Sequence, residues 1–410
     1  MNLESFRFPG EFEKQQAVFA NWTLDGPDKE GYIIQDVFAE IIKGLIGHVD
    51  VYINVGVEGT KENCEQYLAA HGVDASKVNF VYYPDYIFYF RDQGPNVMTN
   101  AEGEMLEVNT AFNIYGVAKD DDPVAEMSRK NAVHCAVQLG CYNILNTHVY
   151  TEGGNREYTG KGTMMSCLST ELSRNPKLTK EELEAEYKRI FNLHRVIWIE
   201  RPMFADDNVR RGVLDHYNGE PVYGSSSAGH TDEMCRFVDA HTILLAEVTE
   251  EEAEKWENLK ITKGILDRTY EMLSQLKDDD GEPFKIVRIP VADPIIIEYK
   301  KGEAGYDHMY RGLGPEHKFA DGSVMPEDRI LFCPAVSYCN FLIANDVVIG
   351  QRYWREGLSE NIKKKDAQAK EILEQCFPGR EVIMVDTLAL NMKGGGVHCW
   401  TRNVAAVETK

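Results

Sequence analysis

The chain has 410 residues, 43% of them hydrophobic, enough for one large domain or two ordinary ones around a substantial core. Its net charge of -22, from 66 acidic against 44 basic residues, argues against nucleic acid or an anionic membrane as partner and suits a cationic ligand, although an acidic surface also serves solubility alone. No stretch reaches the ~18 apolar residues needed to cross a bilayer, and the N-terminus lacks a basic region followed by an apolar run, so a cytoplasmic protein is expected.

In chain order, a segment from Glu13 to Trp22 precedes a helical pattern that places Ile34, Val37, Phe38, Ile41 and Leu45 on one face, and then an apolar strand from Val51 to Val55. A shorter helix from near Thr60 leads to a strand, Val78 to Tyr83, and then to Arg91, Asp92, Gln93, Gly94 and Pro95. The same order returns: Asp122 and Pro123 open a helix to about Leu139, a strand runs from Tyr142 to Tyr150, and Glu152, Gly153 and Gly154 follow. In the third pass Thr179 and Glu182 form a capping box for a helix to about Leu193, and a strand from Val196 to Ile199 is followed, after a longer loop, by Gly229, His230, Thr231, Asp232 and Glu233.

The fourth pass opens with the capping box Thr249 and Glu252, reaches a strand at Ile286 to Ile289 and, beyond a Gly-rich insertion, delivers Tyr338, Cys339, Asn340 and Phe341. The fifth has a helix from Asp366 to Cys376, a strand from Glu381 to Val385, and then Gly394, Gly395, Gly396, Val397, His398 and Cys399. Hairpins are expected after the first four polar motifs, around TNAEGE, YTGKG, VDAHT and AND; the fifth lacks a long return strand, which Ala17 to Trp22 could supply and so close a ring. Five units over 410 residues average about 82 residues each, the size of a supersecondary module that cannot bury its own apolar face. No linker or composition break divides residues 1–410 into separate domains.

If five modules surround an axis, Asp92, Glu152, His230, Asp232, Asn340 and Cys399 converge. Singly each has a plain reading: Asp92 beside Arg91 as an ion pair, Glu152 as a turn residue, His230 with Asp232 as a buried pair, Cys399 as a structural thiol after a glycine turn. Together a thiol, an imidazole and carboxylates suggest covalent catalysis on a cation, and the cation that suits paired carboxylates is a planar guanidinium. Asp92 and Asp232 would hold it, Cys399 attack its carbon, His230 act as acid and base, and Glu152 orient the imidazole. The three glycines bare one wall for a flat group. Nine cysteines without a CxxC pair fit reduced thiols. A metal site could be drawn from His230, Asp232, Glu233 and Cys399, but the spacing is not that of zinc helices, and no metal and no cofactor are expected.

RDQGP at 91–95, EGG at 152–154 with GKGT at 160–163, GHTDEMCRFV at 229–238, SYCNFLIAN at 337–345, FPGREV at 377–382 and GGGVHC at 394–399, in this order, resemble the agmatine deiminase and bacterial (Porphyromonas-type) peptidylarginine deiminase family. The resemblance begins at FPGEFEKQQAVFANW, 8–22. It implies the α/β pentein fold, a five-bladed propeller with pseudo-five-fold symmetry of ββαβ-like units, in one catalytic domain. It also implies hydrolysis of a guanidine to a ureido product and ammonia, with agmatine as the first candidate substrate. The family's nucleophile falls on Cys399, its acid/base on His230, its carboxylates on Asp92, Glu152 and Asp232; Asn340, Tyr89 and Gly396 are expected beside the substrate.

Where the family commonly carries Trp this chain has Tyr89, Asn155, Arg156 and Glu157 follow EGG, and 302–327 is long and polar. Arg156 reads as a solvated surface charge, or else faces a substrate carboxylate. Deimination of arginine or peptidyl-arginine, amidino transfer and a non-catalytic guanidine-binding pentein are the alternatives. The partner expected is a small cationic guanidino compound, with self-association left open.

Overall fold

The computed structural model describes residues 2–119, 121–207 and 212–407. Its strands form six small sheets, and five share one plan. In each, an antiparallel pair is extended by a parallel strand that returns after a helix. Val97–Asn100 and Met105–Ala111 are joined in parallel by Asn143–Tyr150 after the helix Pro123–Gln138. Arg156–Tyr158 and Thr163–Cys167 are joined by Arg195–Ile199. Cys235–Phe237 and Thr242–Glu247 are joined by Lys285–Pro290, and Leu342–Ala344 and Val347–Arg352 by Glu381–Asp386.

The fifth sheet ties the two ends of the chain together. Gln15–Asn21 pairs antiparallel with Thr401–Ala405, Val18 opposite Asn403, and parallel with Asp50–Asn54. The N-terminal segment thus supplies the return strand that the last unit lacks. Every polar motif ends where one of these antiparallel pairs begins: Asp92 before Val97, Glu152 before Arg156, Asp232 before Cys235, Asn340 before Leu342, Cys399 before Thr401.

The sixth sheet departs from expectation. The longer loop before Gly229 contains the strands Val213–Tyr217 and Glu220–Gly224, which turn at Asn218 and Gly219, both at positive φ. Asn-Gly is a strong local hairpin signal because both residues tolerate the left-handed region that a tight turn requires. Glu220–Gly224 runs parallel to Arg329–Cys333, which pairs with Ile297–Lys300, and the helix Ala304–Gly312 lies between the latter two in sequence. The two insertions therefore combine into one added layer. Elsewhere the helix expected from Asp366 starts at Glu360, where the Ser359 side chain caps the Asn361 amide. Asp366 is instead buried and accepts bonds from the Tyr338 hydroxyl and the Tyr353 and Trp354 amides. The helical region after Thr249 breaks at Trp256, whose backbone is extended.

The short helix Val397–Trp400, which carries Cys399, is anchored on the core by its last residue. Trp400 is fully buried, stacks on Phe38 with ring centroids 4.0 Å apart and planes 2° from parallel, and donates Nε1–H to the Asn21 carbonyl at 2.9 Å. Phe38→Ala removes that support and leaves a cavity, so urea unfolding should show a loss of about 3–5 kcal/mol. A loss below about 1 kcal/mol would mean that Trp400 does not depend on the stack.

Candidate functional site

The five loop ends that precede the antiparallel pairs supply a cluster of buried ionisable groups. His230, on an extended residue before the turn Thr231–Glu233, directs Nε2 at Glu152 Oε2, 2.8 Å away. Its Nδ1 lies 3.6 Å from Asp92 Oδ1 and makes no hydrogen bond among the described residues. The other Glu152 oxygen accepts from Arg174 Nε at 2.7 Å, which fixes the carboxylate in both directions. Burial is the largest influence on each partner of this pair and opposes its charge. Even so, Asp92 and Glu152 hold His230 up at about 10, and Arg174 and His230 bring Glu152 down to about 2.

Asp92 accepts the Gly154 amide at 3.0 Å on Oδ1 and the Tyr115 hydroxyl at 3.0 Å on Oδ2. Burial first, then Glu152 and Asp232, raise its carboxyl above the ordinary value against the pull of His230. Asp232 has one oxygen bound and one open: Oδ2 meets His398 Nδ1 at 2.6 Å, while Oδ1 is buried with no partner among the described residues. Burial pushes Asp232 up, but the hydrogen bond and charge of His398 more than offset it and leave the carboxyl below its usual range. His398 is in turn held at Nε2 by Glu11 Oε2, 2.7 Å away, and Glu11 also lies 3.4 Å from Arg91 and 3.2 Å from Arg236.

Cys399 sits against this cluster. Asn340 Nδ2 donates to its Sγ at 3.1 Å and to Glu233 Oε1 at 2.8 Å, while Asn340 Oδ1 accepts the amides of His398 and Cys399 at 3.0 and 3.3 Å. The Sγ is 3.8 Å from Glu233 Oε1 and 3.9 Å from Asp232 Oδ2. Burial, then Asp232 and Glu233, push the thiol well above its ordinary value, and burial with Asp232 and Asp206 does the same to Glu233. Asp232, Glu233 and Cys399 bring three possible ligand atoms within 4.8 Å of one another, as do Glu11, Glu157 and His398. In the first group the Asn340 amide already bridges the thiol and Glu233; in the second Arg236 reaches Glu157 at 2.7 Å and Glu11 at 3.2 Å.

A cleft of about 510 Å³ opens onto this cluster and is lined by Asp92, Cys399, Tyr89, Tyr115, Arg174 and Gly394 among others. Asp92, Glu152, His230, Asp232 and Cys399 are thus together. Tyr89 is beside them, its ring over Gly395 and its hydroxyl donating to the Leu390 carbonyl at 2.9 Å. Asn340 is fully buried behind Cys399, where both ends of its amide are used. Gly396, expected to wall the substrate, faces inward: a Cβ there would stand 2.3 Å from Gln351 Oε1 and 2.7 Å from Asn340 Oδ1, and Gly394 lines the cleft in its place. Gly154 is bare where the groups meet, since a Cβ on it would lie 2.7 Å from His230 Nδ1, 3.0 Å from Asp232 Oδ2 and 3.1 Å from Asp92 Oδ1. Arg156 is neither solvated nor in the cleft. It is buried, donates to Asn96 Oδ1 at 2.6 Å and to the Glu152 carbonyl at 3.2 Å, and lies 5.0 Å from the Phe191 ring.

The sequence profile of the Porphyromonas-type peptidyl-arginine deiminases matches residues 7–404. The chain belongs to that family. An agmatine deiminase of Pseudomonas fluorescens is 25% identical over 99% of this chain and 97% of its own length. Among solved structures, an agmatine deiminase of Enterococcus faecalis superposes with a TM-score of 0.73 at 22% identity, covering 98% of this chain and 96% of that one. A C. jejuni agmatine deiminase superposes with 0.68 at 17% identity, over 98% and 97%. At these identities the structural likeness concerns the mixed α/β fold.

Residues that the sequence alone did not assign complete this cluster. Glu11, Arg174, Tyr115, Asp206 and His398 all orient one of the cluster's side chains or its backbone. Asp206 accepts the amides of Ser227 and His230, the latter at 3.0 Å, and burial carries its carboxyl up to about 7. Only His398, adjacent to Cys399, carried a local signal.

The His230–Glu152 pair predicts a pH signature. The folded imidazole titrates far above the ~6.5 of free histidine, so its contribution to stability is whole below that value and lost as pH rises through about 10. Glu152, held below the ~4.3 of free glutamate, contributes above that value and loses its contribution as pH falls through about 2. An NMR titration should find the His230 ring near 10, and Glu152→Gln should lower that midpoint by at least about one unit. A native midpoint near ~6.5 would contradict the pairing.

Proposed function

We propose that this protein is a guanidine deiminase, a hydrolase that converts a guanidino group into a ureido group and ammonia, with agmatine the first candidate substrate and N-carbamoylputrescine its product. One observation carries the reading: Asp92 and Cys399 line the same cleft, with a second buried carboxylate, Asp232, 3.9 Å from the sulfur and one of its oxygens unpartnered among the described residues. One carboxylate lining the cleft with the thiol, and a second packed beside the sulfur, suit a planar cation whose carbon is to be attacked. Full-length relatives named as agmatine deiminases support the choice of substrate.

A guanidinium between Asp92 and Asp232 keeps its charge through hydrogen bonds worth about 1.5–3 kcal/mol each. That charge opposes the effect of the carboxylates on Cys399, whose thiol they hold protonated while the site is empty. The thiol gives its proton to water, the thiolate attacks the guanidinium carbon, and a C=N electron pair moves onto nitrogen. The His230 imidazolium, kept protonated by Glu152, gives its proton to the departing nitrogen, which leaves as ammonia and yields a thiouronium on Cys399. Neutral His230 next takes a proton from water as the oxygen adds to the same carbon. The C–S bond breaks with its electrons on sulfur, the hydroxyl proton of the resulting cation returns the sulfur to the thiol, and the neutral ureido product is released. Water and the substrate balance the reaction.

We further read the five alike sheets as five blades around one axis, within one catalytic unit spanning 1–410, the axis lying where the loop ends meet. The sixth sheet stands outside that repeat. Among the described residues no helix is long and apolar enough to cross a membrane.

Ammonia and ureido product should form from at least one of agmatine, arginine, a peptide with C-terminal arginine and guanidinobutyrate, and Cys399→Ser should lower kcat by at least about 10³-fold with the fold intact by circular dichroism. Residual turnover within tenfold of native would remove Cys399 as nucleophile. Transfer of the amidino group to an added amine, without ureido product, would favour an amidinotransferase. Gly154→Ala should lower kcat/KM at least about 100-fold, beyond what its overpacking cost of about 1–3 kcal/mol takes from thermal stability, because the methyl occupies the point between His230, Asp92 and Asp232.

A further inference from the structure

Behind the cleft lies a second cavity of about 650 Å³ that meets it at Tyr89, Ser226 and Lys393, which line both. Its deep wall is apolar and aromatic, with buried Tyr299, Phe319, Phe332 and Met392, and its outer rim carries exposed Asp25, His308 and Arg311. The sixth sheet supplies Gly224, Tyr299 and Phe332, and the helix Ala304–Gly312 with the residues after it supplies Met309, Leu313 and Phe319. The chamber is therefore built largely by the two insertions, including 302–327, that stand outside the five repeated units, and is closed by residues such as Phe88, Tyr89 and Met392.

A four-carbon guanidinoamine is small beside the first cleft of about 510 Å³ and leaves the second without an occupant of its own. The charges at the neck and in the first cleft that a free ammonium would meet are also already committed, and Asp25 stands out on the exposed rim. Lys393 at the neck is paired with Asp28 at 2.7 Å, Asp207 with Arg201 at 3.0 Å, and Arg174 with Glu152 at 2.7 Å. A concave space with an apolar floor and a polar rim suits an uncharged, ring-sized group.

We propose that this chamber binds the end of the substrate distal to the guanidine, and that the preferred substrate is an agmatine-like guanidine whose far nitrogen is acylated by an apolar, ring-bearing group. This rests on the deiminase reading above. Acylation removes the ammonium charge beside Lys393 and places the ring against Tyr299, Phe319 and Phe332. Tyr89, at the neck, is the side chain past which the linker runs.

The test compares agmatine with N-(3-phenylpropanoyl)agmatine in two ways: kcat/KM on the native protein, and calorimetric affinity for Cys399→Ala. The acylated compound should be favoured at least about tenfold in both, and Met309→Trp and Leu313→Trp, which fill the chamber, should bring the kcat/KM ratio toward one. Equal or weaker binding and turnover of the acylated compound, or a ratio that survives both folded tryptophan variants, would overturn the proposal. Should neither compound be turned over while another guanidine of the panel is, agmatine-like substrates are excluded and the proposal falls; should no guanidine be turned over, the deiminase reading fails, and the affinity ratio on Cys399→Ala still decides whether the chamber takes the acyl group.

Discussion

Negative charge buried without compensation is the constraint on which the rest of this structure turns. Asp92, Glu152, Asp232 and Glu233 crowd one thiol, all almost fully out of water. An unpaired buried ion costs several kcal/mol, so such a cluster persists only where cations or neutralising protons come from elsewhere in the fold. Arg174 and His230 bracket Glu152, and His398 is clasped between Asp232 and Glu11 at 2.6 and 2.7 Å. Glu11 also receives the Ile343 amide and faces Arg91 and Arg236. Because Glu11 lies at one end of the chain and His398 at the other, the site is complete only after the strands Gln15–Asn21 and Thr401–Ala405 have paired.

The compensation is incomplete where a cation is expected to enter. Asp232 Oδ1 has no hydrogen-bond partner among the described residues, Asp92 is raised, and both Glu233 and Cys399 are pushed far toward their protonated forms. These separate features describe one condition, a cavity short of positive charge. A guanidinium would meet the shortage and, by the same electrostatics, make the sulfur easier to ionise. Binding and activation would then follow from one interaction, which limits thiolate formation in the empty site.

The repeat and the cluster were legible because each chemistry-bearing motif sits at a fixed place in a local pattern, immediately before an antiparallel pair, so order along the chain reported position in space. The supporting residues followed no such pattern. Glu11, Arg174 and Asp206 lie in ordinary sequence, and only long-range packing makes them partners of His398, Glu152 and His230. Arg156 misled for the converse reason: an arginine reads as exposed unless its counterparts are known, and Asn96 and Phe191 are distant in sequence. The glycine run showed that backbone would come close to something, but not which glycine faced the cleft. Asn218 and Gly219 were a local signal that could have revealed the sixth sheet; they fell inside a stretch read as loop.

The same constraint explains why an added layer, and not an altered cluster, is where recognition can diverge. Any change among the carboxylates, Arg174, His398 or Glu11 disturbs a network in which each group neutralises another, and the effect reaches the thiol. The sixth sheet and the helix Ala304–Gly312 open toward that network at the neck formed by Tyr89, Ser226 and Lys393, where the lysine is already paired with Asp28. Side chains such as Met309 and Leu313 can change in size without changing any buried charge. A buried cluster fixed by electrostatics therefore sits beside a wall free to vary in shape, and that wall is where this chain's insertions accumulate.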